Sequence, residues 1–134
     1  MTIAANSRRG EVLVCATCGA SSAPVGAPPA GLLLARSAIA ALGDATDVRV
    51  ATVRCLANCS RGPSAAIRCD GAWTYLFGNL DQARDGGALV EGARLLAVAA
   101  DGLLPWRGRP EVLKRAVIAR LPPADSPGDP VAPA

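Results

Sequence analysis

The order of apolar and polar segments predicts an α/β domain built on a mixed sheet. Three observations carry this. Two β-branched or apolar runs, Glu11–Cys15 and Asp47–Arg54, flank a helical pattern, which is the arrangement of a parallel pair joined by a crossover. Asp70-Gly71 separates two further short runs, the mark of an antiparallel hairpin. A second helical pattern follows the hairpin.

Each element has a local reason. Val12-Leu13-Val14-Cys15 is a continuous apolar run that suits a buried strand. Residues 19–30 are rich in Gly, Ser and Pro and read as loop. Gly31–Leu42 places Leu34, Ala38, Ala41 and Leu42 at helical spacing, and Gly43 supplies a stop. Asp47–Arg54 is β-branched and partly alternating. Ser64–Cys69 and Ala72–Gly78 are the hairpin strands, with Asp70-Gly71 expected in a two-residue type I′ turn. Asp81 or Asp85 caps a second helix to about Ala100, with Leu89, Ala93, Leu96 and Ala97 facing the core; Gly86-Gly87 weakens its first turn. Pro110 opens a third helix that ends before Pro122-Pro123. The order β-α-β-β-β-α plus a C-terminal helix is a thioredoxin-like mixed-sheet arrangement. The expected organisation is a flexible lead-in over 1–10, the main domain over 11–100, a C-terminal helical extension over 101–121 and a disordered Pro-rich tail over 122–134.

Composition narrows the function. The chain has 134 residues, a formal charge of +3, no histidine and only four aromatic residues, so Ala, Val and Leu must fill its core. The basic residues are scattered and nearly all Arg, which argues against a nucleic-acid stripe or a polybasic membrane anchor. No apolar run approaches the roughly 20 residues of a membrane span. Arg8-Arg9 lacks a following apolar segment, so neither a secretory nor a twin-arginine signal is expected. A cytoplasmic setting follows, in which paired cysteines serve metals or redox chemistry more often than structural disulfides. We expect no enzyme: there is no Ser/His/Asp or Cys/His set, no phosphate-binding glycine loop and no paired carboxylates.

Four cysteines stand in two pairs, Cys15-Ala-Thr-Cys18 and Cys55-Leu-Ala-Asn-Cys59. Each pair follows the carboxyl end of one strand of the expected parallel pair. Both loops then emerge at one end of the sheet, and four thiols can converge. Cys69 falls outside this set, about 16 Å away along its strand at about 3.3 Å per residue, and reads as a small buried residue. Three chemistries remain open at this point. Four thiolates can hold a [2Fe–2S] cluster or a zinc ion, the latter in a structural site or in a metallochaperone-like partner protein. A dithiol oxidoreductase is the third, although about a dozen residues separate Cys18 from the helix whose N-terminus should activate it. Gly19, Ala20, Ser21, Ser22, Ser60 and Gly62 are small, which lets backbone N–H groups approach sulfur.

The stretch from Cys55 through Gly62-Pro63 to Trp73 and Tyr75 resembles the second half of thioredoxin-like [2Fe–2S] ferredoxins. Those proteins carry Cys-X-X-X-Cys, then Gly-Pro, a short strand, a turn and an aromatic-bearing strand. They usually separate their first two ligands by more residues than Cys15 and Cys18 are separated here. The chain as a whole is similar to a bacterial family of predicted metal-binding proteins found near cobalamin-biosynthesis genes. Val12–Cys18, Trp73–Asp81 and Leu104–Pro110 carry that similarity. The resemblance implies a [2Fe–2S] cluster on Cys15, Cys18, Cys55 and Cys59, single-electron transfer to a redox partner protein, and a setting beside cobalt metabolism. It also implies a homodimer, for which an aromatic face of Trp73, Tyr75 and Phe77 is a candidate interface; an aromatic layer under a helix is the simpler reading.

Arg54 and Arg61 flank the second pair. A positive charge about 8 Å from a cluster stabilises its reduced state by about 2 kcal/mol at an effective dielectric of about 20, before screening. The same arginines would steer an acidic partner. Arg107, Arg109, Lys114, Arg115 and Arg120 make the C-terminal segment basic, as a solvated helix face or a docking surface.

Overall fold

The computed structural model describes residues 9–19 and 24–131. Gly10–Cys15 forms β1, and the sheet assembles around it. Helix α1 (Ala30–Leu42) crosses over to β2 (Val48–Val53), which lies parallel to β1 with Cys15 opposite Val53. Strand β3 (Ala65–Arg68) pairs antiparallel with the other side of β1, and β4 (Thr74–Phe77) pairs antiparallel with β3. Helix α2 (Gly86–Val98) follows, then a short helix α3 (Glu111–Arg115) and strand β5 (Val117–Leu121). The five-stranded sheet has the order β2-β1-β3-β4-β5. The mixed α/β sheet and the parallel crossover agree with the sequence reading.

The register is pinned in the centre by charge. Glu11 faces Arg49 on β2 and Arg68 on β3, and both guanidinium groups reach its carboxylate at 2.7 Å. Arg68 first, then Arg49, hold the Glu11 carboxyl below its ordinary pKa against the opposing effect of burial. The core joins Val12 and Val14 of β1, Ile67 of β3 and Phe77 of β4 to Leu34 and Ala38 of α1 and Leu89, Ala93 and Leu96 of α2. Leu34, Ala38, Leu89, Ala93 and Leu96 occupy the faces expected from their spacing; Ala41 is exposed, and Leu42 is half-buried against the edge of the core. Gly43 ends α1 at φ 61°, its N–H donating to the Ile39 carbonyl at 3.1 Å.

Asp85 occupies the N-cap position of α2 without capping it. Its carboxylate accepts the Asp81 N–H at 2.6 Å, while Asp81 accepts the N–H groups of Ala83 and Arg84. The helix stops at Val98, two residues before the expected end. The Gly86-Gly87 pair divides in role. A Cβ on Gly86 would overlap the Ala38 backbone and lie 2.5 Å from Ser37 Oγ, so this glycine is what lets α2 approach α1. A Cβ on Gly87 would meet only Ala41 Cβ at 3.7 Å, an ordinary contact. Gly87→Ala should therefore stabilise the protein by about 0.5–1 kcal/mol through helix propensity. Urea unfolding checks this, and a lowered midpoint would contradict it.

Two expectations need correction. The Asp70-Gly71 connection is not a two-residue type I′ turn. The last β3–β4 partners are Ile67 and Tyr75, and within the connection only Gly71 has positive φ, at 77°. The Ala72 N–H donates to the Cys69 carbonyl, giving one positive-φ position as in a type II turn. The third helix also fails to reach Pro122: α3 ends at Arg115, and Val117–Leu121 joins β4 as an antiparallel edge strand. The expected extension thus holds one short helix and one strand, and Gly10, assigned to the lead-in, starts β1. Residues 1–8 of the lead-in and 132–134 of the tail lie outside the described residues.

The aromatic strand lies in the core. Tyr75 and Phe77 are buried and stacked, with ring centroids 6.2 Å apart; Trp73 is half-buried at the margin with the Arg120 guanidinium 4.7 Å above its ring. Arg109 is not part of a solvated face. It donates to the carbonyls of Leu104, Pro105 and Leu113 and lies over the rings of Tyr75 and Trp106, fastening the 104–113 segment to the sheet. Among the described residues, no helix is long and apolar enough to cross a membrane.

Candidate metal centre

Because β1 and β2 are parallel, the loops that carry the four cysteines leave the same end of the sheet. The first loop begins at Cys15, the last residue of β1; the second runs from Arg54 through a short 3-10 turn at Cys59–Arg61 to the cis Gly62–Pro63 peptide. Cys15 and Cys18 are fully buried, whereas Cys55 and Cys59 are exposed.

The two loops are laced together. Cys15 N–H donates to the Ser64 carbonyl at 3.0 Å, and Ala16 N–H to the Val53 carbonyl at 2.8 Å. The Thr17 hydroxyl donates to the Arg54 carbonyl at 2.6 Å, tying the loops side by side. The Cys15 thiol lies 3.9 Å from the same carbonyl. Gly62 faces Cys18 so closely that a Cβ would stand 2.8 Å from its sulfur. The small-residue reading therefore holds at Gly62; Ala20, Ser21 and Ser22 lie outside the described residues.

The thiols interact as pairs. Cys15 and Cys18 perturb one another's ionisation, and Cys55 perturbs that of Cys59. Burial opposes ionisation of Cys15, but the Cys18 thiol, the Leu56 N–H and Thr17 outweigh it and hold its pKa below the ordinary thiol value. Burial and the neighbouring Cys15 push Cys18 up to about 11, partly offset by Ser64. Cys59 is raised by Cys55 first, and also by charge on Cys15 across the loops. Among the described residues, no three His, Cys, Asp or Glu side chains are gathered closely enough to hold one metal ion.

The second loop presents a backbone donor. Ala57 has φ 59°, a left-handed conformation that costs an alanine about 1–2 kcal/mol, and its N–H lies 3.2 Å from the Cys55 sulfur. Arg54 and Arg61 are exposed; the Arg54 carbonyl accepts from Thr17 across the loops, and the Arg61 carbonyl accepts from Asn58 of its own loop. Cys69 is buried in the core cluster at the hairpin end.

Three supporting residues escape the sequence reading. Thr17, Asn58 and Ser64 are ordinary polar residues: the Thr17 hydroxyl bonds to the second loop, and Asn58 and Ser64 bond to each other within it. One placement also differs. Cys18 is far from α1 in sequence but next to it in space: the Gly31 N–H, in the first turn of α1, donates to the Cys18 carbonyl at 3.0 Å. Sequence separation therefore does not keep Cys18 from a helix N-terminus, although the bond is to its carbonyl and not to its sulfur.

A family profile described as "Protein of unknown function (DUF1636)" matches residues 12–123. The chain belongs to this family. No curated protein sequence matches it. Two solved structures are similar to this DUF1636 chain. A thioredoxin-like [2Fe–2S] ferredoxin from Aquifex aeolicus superposes with a TM-score of 0.53 at 19% identity, covering 87% of this chain and 97% of that one. A second structure, of the wild-type Aquifex aeolicus protein, gives 0.51 at 15% identity, covering 84% and 98%. The DUF1636 chain therefore has a thioredoxin-like fold.

Proposed function

We propose that this chain holds a [2Fe–2S] cluster through Cys15, Cys18, Cys55 and Cys59 and passes single electrons to a redox partner protein. The observation that carries this reading is that the two cysteine-bearing loops leave parallel strands at one end of the sheet and are tied side by side there, the Cys15 N–H to the Ser64 carbonyl at 3.0 Å and the Thr17 hydroxyl to the Arg54 carbonyl at 2.6 Å. The residues fit such a group. All four are soft thiol ligands, Gly62 leaves room at Cys18, and the Ala57 N–H is already directed at a ligand sulfur. A pairwise arrangement suits two irons, each taking two cysteines. Zinc would draw all four sulfurs around one ion, at about 3.8 Å from one another for Zn–S bonds of about 2.3 Å.

When bound, the cluster supplies one-electron redox chemistry. The chain supplies the rest. The buried first pair excludes water from one side, backbone N–H groups donate to sulfur, and the exposed second pair gives a partner a short approach. Arg54 and Arg61 flank that exposed pair and favour an acidic partner. In this reading the chain transforms no substrate itself. Homodimer formation and a role beside cobalamin biosynthesis, in cobalt reduction, extend the proposal and rest on the family resemblance.

The Cys-X-X-Cys spacing of Cys15 and Cys18, with the Cys18 carbonyl held by the Gly31 N–H at the N-terminus of α1, also suits a dithiol–disulfide couple, which is the second reading. It assigns no role to Cys55 and Cys59. The visible spectrum of protein purified without oxygen, before and after dithionite, decides between them. Brown protein whose sulfur-to-iron bands bleach on reduction is the expected result. Protein that stays colourless after reconstitution with iron and sulfide would overturn the cluster. Bound zinc or a reversible Cys15–Cys18 disulfide would then name its replacement.

A further inference from the structure

We propose that the groove beside Trp106, at the hairpin end of the sheet, docks an acidic segment of a partner protein that carries an apolar anchor side chain. This surface lies away from the cysteine loops, and it goes beyond the cluster reading without depending on it.

The groove encloses about 660 Å³ between the end of α2 and the 101–109 segment. The Trp73 N–H fixes its place, donating to the Gly102 carbonyl at 2.9 Å beside the β3–β4 hairpin; the cysteine loops leave the opposite end of the strands. Its walls are apolar, from Leu95 and Val98 of α2, Leu103 and Trp106. Val98 is 80% exposed and Trp106 62%, so one groove leaves two large apolar side chains to water. Trp106 is nevertheless held firmly. Arg109 donates to the carbonyls of Leu104 and Pro105, immediately before it, and to that of Leu113. The Tyr75 hydroxyl accepts the Leu104 N–H at 2.9 Å. The Arg109 and Lys114 cations stand 5.2 and 5.1 Å from the Trp106 ring centroid. A segment fastened in this way presents a large aromatic side chain that loses little freedom on binding, as an interface anchor requires.

Charge selects the occupant. Arg109 and Arg120 line the groove, and Arg107 is exposed next to Trp106. Among the described residues, none of these three arginines pairs with a carboxylate, and Lys114 is matched by Glu111. Asp101 is the acidic residue of the lining, and its carboxylate accepts the Leu103 N–H at 3.1 Å. Three guanidinium groups against one carboxylate leave an excess of two positive charges. That excess attracts an acidic segment. It repels a second copy, whose own groove would bring the same three arginines to a two-fold contact.

Fluorescein-labelled peptides randomised over Asp, Glu, Leu, Phe and Gly, titrated with the full chain and read by polarisation, test this. Binding should saturate, weaken as salt is added, and be about tenfold weaker for a matched pool with Asn and Gln replacing Asp and Glu. Trp106→Ala should weaken it about thirtyfold, the effect of removing a central anchor. Val98→Glu and Arg107→Glu change exposed side chains, and each should weaken it about tenfold. Arg61→Glu, at the cysteine end, should leave it unchanged. Removal of iron and sulfide should also leave it unchanged, so a failure of the cluster reading is a separate result. Acidic peptides that do not bind the wild-type chain, or that bind no better than the neutral pool, overturn the proposal. So do peptides that bind Trp106→Ala, Val98→Glu and Arg107→Glu as they bind wild type, or that lose affinity equally in Arg61→Glu. A labelled single-stranded oligodeoxynucleotide that binds more tightly than the acidic pool and depends on Trp106 would overturn it in favour of nucleic acid. Self-association of the chain that disappears in Trp106→Ala would overturn it in favour of a second copy.

Discussion

Replacing Gly31 with alanine is expected to destabilise the metal-free protein by about 3 kcal/mol, the upper end of the usual cost of forcing atoms into a packed site. Propensity alone predicts the opposite sign, since Gly→Ala within a helix ordinarily gains about 0.5–1 kcal/mol. Gly31 is the second residue of α1 and needs no unusual backbone conformation. Its role is the absence of a Cβ. An added Cβ would overlap the Cys15 carbonyl oxygen, lie 3.1 Å from the Cys15 carbonyl carbon and 3.3 Å from Cys18 Cβ. The first two are backbone atoms of a strand end, with no flexible side chain to yield. The Gly31 N–H also holds the Cys18 carbonyl, so the clash pushes apart the two elements this bond joins. Urea unfolding of Gly31→Ala beside Gly87→Ala gives the clearest measurement. The two changes are chemically identical in the first turns of two helices, and their midpoints should move in opposite directions. An unchanged or raised midpoint for Gly31→Ala would mean that the first cysteine loop is free to move off α1.

The elements that the sequence revealed are those whose reasons are local. Val12 and Val14 alternate into the core, Gly43 stops α1, and the parallel crossover follows from strand, helix and strand in succession. What escaped depends on distant partners. Val117–Leu121 lies between Pro110 and Pro122, which punctuate a helix well, and its true state is set by the open edge of β4, which gains backbone hydrogen bonds from a β-branched segment. Propensity cannot see that edge. Arg109 is similar: three carbonyls and two aromatic rings from 75–113 surround it, although its sequence neighbours suggest a solvated basic face. At the candidate site, the cysteines were legible because residue type and spacing carry their chemistry. Thr17, Asn58 and Ser64 were not, because a hydroxyl or amide acquires its role only from what folding places opposite it.

That division between ligand chemistry and packing leads to the other large effect, the loss of the chromophore on removing one cysteine. Cys18→Ala and Cys59→Ala should each abolish retention of the cluster, since either leaves three thiolates for a group that takes four. Their effects on the metal-free chain should differ. Cys59 is exposed, so its loss should leave stability within about 0.5 kcal/mol of wild type. Cys18 is fully buried against Gly62, and its loss opens a small cavity, at a cost of about 1–2 kcal/mol. Cys69→Ala supplies the control. It too is buried, but in the core cluster at the hairpin end, so it should lose stability and keep the full visible spectrum. Iron and sulfide content, read beside urea unfolding of the metal-free variants, separates the two properties. A Cys59→Ala protein that retained its colour would remove that residue from the ligand set, while loss of colour in Cys69→Ala at intact folding would bring a fifth cysteine into it. With the expected results, the metal-free fold would depend on the buried pair while the cluster depended equally on both, as an exposed second loop closing over a preformed first loop requires.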